Sequence, residues 1–158
     1  MNTDKEKLTA RLTETHHALQ GLLEGVDLEI LVYPDSGWRI RDILGHIAIW
    51  DWEIVKSLRA FLAGDEYIIS DIEEDESEFN EKGVIEQQAL STGQIVSDWK
   101  ESRADLLAVI NEIPADRFPG DLVYPWGDER GSISRLVEYF IEHDEEHYAE
   151  LDKVLQGA

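Results

Sequence analysis

From Ile40 to Phe61 the chain sets Ile40, Ile43, Ile47, Trp50, Ile54, Leu58 and Phe61 three or four residues apart, with Gly64 following as a stop. That spacing is the repeat of an α-helix with one apolar stripe, and it predicts a helix across the segment. Such a stripe must be covered by elements of the same period, and the chain supplies three. Thr3 and Glu6 have capping-box spacing ahead of Leu8, Leu12, Thr15, Leu19, Leu22 and Val26, which predicts a first helix ending near Gly25. A third stripe runs Ile85, Gln88, Ile95, Trp99, Ser102, Leu106, Ile110 and Ile113 to Pro114. Gln88 and Ser102 put polar groups on its inner face, and Gly93 weakens its continuity. Ser132 is placed to cap a fourth helix carrying Ile133, Leu136, Phe140, Leu151 and Val154.

The connections are of two kinds. "YPDSGW", residues 33–38, is turn-rich, and "PADRFPGDLVYPWGDERG", residues 114–131, has the composition of an ordered loop or short strands. No internal repeat and no strict alternation is present. The expected fold class is all-α, a four-helix bundle with one long connection, as a single domain over residues 1–158.

Charge narrows the function. Asp and Glu total 35 against 14 Lys and Arg, a formal net charge of −21. The resulting field repels phosphate backbones and anionic headgroups, which excludes nucleic acid and membrane surfaces as expected partners. The densest acids, "SDIEEDESEFNEKG" at residues 70–83, read as a solvated connector. There is no cysteine, so any thiol chemistry needs an external thiol. The start "MNTDKEKLTARL" lacks the apolar core of a signal peptide, and no apolar run reaches the roughly 20 residues of a bilayer span. A cytoplasmic protein is the expectation.

The chemistry concentrates in "IEHDEEHYAEL", residues 141–151. Helical phase puts His143 and His147 on the face of Leu136, Phe140, Leu151 and Val154, one turn apart and able to reach one ion. Two buried neutral imidazoles otherwise need a hydrogen-bond partner at every ring nitrogen, so ordinary core histidines are the competing reading. A third ligand is required for a metal. His46, beside the stripe of the second helix, is the first candidate, and His16 is the second. His17 points away, and Glu150 is the costlier choice because it would bury a carboxylate. The spelling His143–His147 also fits the H-x-x-E-H of inverted zinc proteases, but those need a ligand well downstream, and here the chain ends eleven residues later.

"GWRIRDILGHIAIWDWEIVKSLRAFLAG" at 37–64, "DESEFN" at 75–80 and "HDEEHYAEL" near the C-terminus resemble, in that order, the DinB/YfiT-like superfamily. That superfamily is related to the N-terminal domain of mycothiol-dependent maleylpyruvate isomerase. The resemblance implies a four-helix-bundle metalloenzyme fold and, by position, the metal ligands His46, His143 and His147. It further implies a metal-dependent enzyme acting on a small-molecule substrate by hydrolysis or by transfer or isomerisation with a low-molecular-weight thiol. A non-catalytic metal- or ligand-binding stress-response protein is the alternative, and a homodimer is the expected assembly. Zinc, nickel, iron and manganese all accept imidazole, so the divalent ion is left open. Glu53, Glu146 and Glu150 are the candidate general bases or ligand-orienting carboxylates, and Trp50 and Trp126 the candidate pocket walls.

Overall fold

Thr3 begins the first helix as expected, its hydroxyl accepting from the Glu6 amide, and α1 runs Asp4–Leu23. The computed structural model describes residues 3–69 and 76–157. After α1 come a short hairpin, β1 (Leu31–Tyr33) and β2 (Trp38–Arg39), then α2 (Ile40–Ala63), α3 (Glu76–Gln87) and α4 (Thr92–Glu112). A second hairpin, β3 (Leu122–Val123) and β4 (Arg130–Gly131), precedes α5 (Ile133–Gly157), whose first turn is capped by Ser132 Oγ accepting from the Arg135 amide at 3.0 Å. The fold is an all-α four-helix bundle of α1, α2, α4 and α5. In it α2 packs on α4 and α1 on α5, while α3 lies in the long connection against α2.

Two expectations need correction. The stripe from Ile85 to Ile113 is not one helix, because the chain breaks after Gln87 and restarts at Thr92 under a Ser91 cap. The break resets the helical phase, so Val84 and Gln87 face inward while Ile85 is 69% exposed and Gln88 is also exposed. The acidic segment is likewise not all connector: residues 76–83 form the first two turns of α3, and residues 70–75 lie outside the described residues. Like charges cost an exposed helix little when one face docks. Docking is close because two glycines lie at the contact. A Cβ at Gly83 would stand 2.7 Å from Ile49 Cδ1, and one at Gly45 would meet the Gln87 side-chain amide.

The apolar interior is divided. One cluster includes Leu12, Trp50, Ile54, Leu106, Phe140 and Ile141, and the other Leu19, Ile43, Ile47, Trp99 and Leu151. Between or beside these clusters each bundle helix carries buried polar groups: His16 on α1, His46 and Asp51 on α2, Ser102 and Arg103 on α4, and Asp144 with His147 on α5. A polar layer therefore crosses the bundle, and the buried functional groups belong to it.

Candidate metal centre

His143 and His147 project from adjacent turns of α5, with ring centroids 4.4 Å apart. His46 reaches them from α2, and all three offer Nε2 to one point. His143 Nε2 lies 3.0 Å from His46 Nε2 and 3.0 Å from His147 Nε2. A neutral imidazole nitrogen carries one N–H or one lone pair, so no tautomer of His143 closes both contacts well. A cation at the centre would use all three lone pairs. Metal–imidazole bonds of about 2.0–2.1 Å hold neighbouring donor atoms roughly 3.0–3.4 Å apart, which matches this spacing. The three residues form a cluster of metal-binding geometry, with ligand atoms within 4.8 Å of one another.

Burial keeps these rings neutral, the protonation state a metal requires. It depresses His46 well below the ordinary histidine range, aided by the neighbouring rings of His143 and His147. His143 is lowered to about 4, by burial first and then by His147. His147 is also lowered by burial, although Glu150 pulls the other way.

The first hairpin supplies what surrounds the rings. Trp38 packs its indole against His46, with centroids 5.3 Å apart. Tyr33 donates its hydroxyl to Glu150 Oε2 at 2.5 Å, and Glu150 Oε1 stands 3.1 Å from His147 Nδ1. A carboxylate behind a ligating histidine fixes the ring and its tautomer. Sequence reasoning missed Tyr33. Its only signal was its position at the edge of the turn "YPDSGW".

The other expected residues separate. Trp50 and Trp126 line a cavity of about 190 Å³ together with His46, His143, Asn80, Tyr139 and Phe140. Glu150 sits behind His147 and is no third ligand in place of His46. Glu146 is exposed on the surface of α5. Glu53 lines a different cleft, between α2 and α3, where it pairs with Lys56 at 3.0 Å and accepts from the Tyr67 hydroxyl. Two turns of helix after His46 carried it past the site. His16 is buried but apart from the cluster, its Nε2 3.2 Å from Gln20 and its ring against Trp99.

Sequence reasoning also missed Arg103. This side chain is 2% exposed and binds Asp51 of α2 through Nε at 3.0 Å and Asp144 of α5 through Nη1 at 2.7 Å. Nη1 also donates to the Leu12 carbonyl of α1 at 3.0 Å, so one guanidinium on α4 ties all four bundle helices together. Thr15 adds a 2.7 Å hydrogen bond to Asp144. The available signal was Ser102, noted as a polar group on the inner stripe, which Arg103 directly follows.

Fold and cluster together define a four-helix-bundle protein with a largely buried three-histidine group of metal-binding geometry. The sequence profile of the DinB superfamily matches residues 11–151, and the chain belongs to that superfamily. No curated protein sequence matches it. Among solved structures it is similar to YfiT of Bacillus subtilis, to which a metal-dependent hydrolase activity and an unusual four-helix-bundle topology are ascribed. The two share 17% identity over 96% of this chain and 86% of that one, with a TM-score of 0.75. An uncharacterised protein of Escherichia coli UTI89 is 15% identical over 99% of this chain and 95% of its own, with a TM-score of 0.77. The mycothiol-dependent maleylpyruvate isomerase is 15% identical over 96% of this chain but only 63% of its own, with a TM-score of 0.75. At these identities the likeness is one of fold.

Among the described residues, no helix is long and apolar enough to cross a membrane.

Proposed function

We propose that this protein is a metal-dependent enzyme acting on a small molecule, with His46, His143 and His147 binding a divalent ion through Nε2. The observation that carries the reading is the open contact of three rings, two buried and one half-buried, in which His143 Nε2 stands 3.0 Å from both His46 Nε2 and His147 Nε2 and no tautomer serves both contacts. Two of those rings also face a cavity, so a ligand entering there would meet the ion directly.

A bound ion would supply a Lewis acid that lowers the pKa of water or holds a thiol as its thiolate. The chain's own residues do the rest. Glu150, braced by Tyr33, stands 3.1 Å from His147 Nδ1, which has no other partner among the described residues. A small turn of the carboxylate would let it orient the ring, and Trp38 packs against His46. Trp50 and Trp126, with Phe140, present apolar walls on the side facing the histidines. The hydrolase activity ascribed to YfiT and the thiol dependence of the isomerase support hydrolysis and thiol addition as the two reaction classes. With no cysteine in the chain, the second class would take its thiol from solution.

The test is metal analysis of the purified protein and of the triple variant His46→Ala/His143→Ala/His147→Ala, with circular dichroism on both. About one ion per chain is expected for the native protein and none for the folded variant. Stoichiometric metal in the variant would refute the assignment. Native protein that binds metal yet turns over neither nitrophenyl esters nor a glutathione–electrophile pair would favour a binding protein instead.

A further inference from the structure

The cavity beside the histidines has four aromatic walls, Trp50, Trp126, Tyr139 and Phe140, and one further polar side chain, Asn80 of α3. Trp50 Nε1 stands 2.7 Å from the Asn80 side-chain oxygen. An indole N–H can only donate, so this contact settles the orientation of the amide: Oδ1 faces Trp50, and Nδ2 is the atom left to donate toward the cavity. Among the described residues Nδ2 has no acceptor. Asn80 is carried on the helix that packs closely on α2, where a Cβ at Gly83 would stand 2.7 Å from Ile49 Cδ1 and oblige that side chain to move. The walls are held as well. Glu129 accepts from Trp126 Nε1 at 3.2 Å and from the Tyr139 hydroxyl at 2.9 Å.

A donor and a cation on one small apolar cavity attract the same partner, an oxygen bearing partial or full negative charge. Flat aromatic walls favour a flat apolar body attached to that oxygen. We propose that Asn80 is a substrate-positioning residue. Its Nδ2 donates to a carbonyl or carboxylate oxygen of a small flat substrate whose body lies among Trp50, Trp126, Tyr139 and Phe140. The assignment rests on the reading that His46, His143 and His147 hold a metal.

Cobalt(II)-loaded protein separates the two claims, because its visible spectrum reports the occupied site before any probe is added. Benzohydroxamate, a flat aryl carbonyl compound that also ligates metals, is titrated against the native protein and Asn80→Ala, with cyanide as a metal-binding probe that carries no oxygen. The expected result is an unchanged cobalt spectrum, benzohydroxamate binding weakened about 10-fold by Asn80→Ala, and cyanide binding unchanged. Trp50→Phe keeps an aromatic wall but releases the amide, and it should weaken benzohydroxamate in the same selective way, so the test survives if Asn80→Ala fails to fold. Equal loss for both probes would mark a structural role and overturn the proposal, as would benzohydroxamate affinity within 2-fold of native in the folded variants. Native protein that takes up no cobalt would instead refute the metal reading, and this proposal with it.

Discussion

The polar layer of the bundle contains two buried groups, the three histidines and the Arg103 group, and they differ in whether their hydrogen bonding closes. Arg103 has five N–H bonds, and all five find acceptors: Asp51 twice, Asp144 twice and the Leu12 carbonyl. Burial opposes its charge, but Asp51 and Asp144 outweigh that and raise its pKa. Asp51 is pushed up to about 6 by burial, against the pull of Arg103. The histidine group has no such closure, since its three Nε2 atoms face one another. The first group completes itself within the protein, and the second converges without doing so, which is the contrast on which the metal proposal rests.

The sharpest way to break this contrast is to remove one member of each. Arg103→Ala leaves two carboxylates buried and unpaired, and should destabilise the fold by about 3–5 kcal/mol in urea unfolding. Replacing Asp51, Arg103 and Asp144 together by Leu, Met and Leu should lose far less, because no charge is stranded. If the single change costs no more than the triple, Arg103 is not the tie described above.

For the histidines the corresponding experiment is chelation. Stripping metal from protein held at about 1,000 times its dissociation constant should lower stability by about 4 kcal/mol, seen as a drop in Tm on adding chelator. The triple histidine variant should show no drop. A chelator effect of equal size in that variant would place the ion elsewhere.

His16 tests whether burial alone, without convergence, keeps a ring neutral. Burial lowers it to about 4, assisted by Arg103 and opposed by Asp144. Between that value and the ordinary 6.5 the unfolded chain binds the proton and the folded protein does not. Stability is therefore full above about pH 6.5 and falls as the pH drops toward 4. His16 should account for up to about 3 kcal/mol of that loss, beside the share of the three clustered histidines. The loss should therefore be smaller by about that amount in His16→Phe, as measured by denaturant titration of metal-free protein across that window. A His16→Phe profile parallel to that of the native protein would assign the proton uptake to other groups.

The smallest expected effect lies behind the site. Tyr33→Phe removes the hydroxyl that braces Glu150 and should weaken metal binding about 10-fold to 100-fold with the fold unchanged. Competition with a colorimetric zinc chelator reads this directly, and an unaltered affinity would show that Glu150 does not act through Tyr33.

Four bundle helices were legible because each carries its own 3.6-residue stripe, and the Thr3, Ser132 and Gly64 signals stand at or next to the observed ends. The restart at Ser91 was harder to see. Ile85 and Gln88 fall by residue count on the stripe of the helix beyond, and a single-sequence period does not reveal that the break at Ser91 turns them outward. The pairing of His143 with His147 needed only the geometry of one helix. His46 was placed beside its stripe by phase, and structure brings it to 3.0 Å of His143.

What the sequence determined alone is what repeats locally: helices, caps and the two histidines one turn apart, because backbone periodicity fixes which side chains share a face. What only the tertiary structure decided is which faces meet. Glu53 shares the buried side of α2 yet opens onto another cleft, Tyr33 reaches Glu150 from a hairpin remote in sequence, and Arg103 finds Asp51 and Asp144 across three helices. Each depends on how helices are rotated and spaced in the bundle. That follows from the packing of the whole core rather than from any one segment.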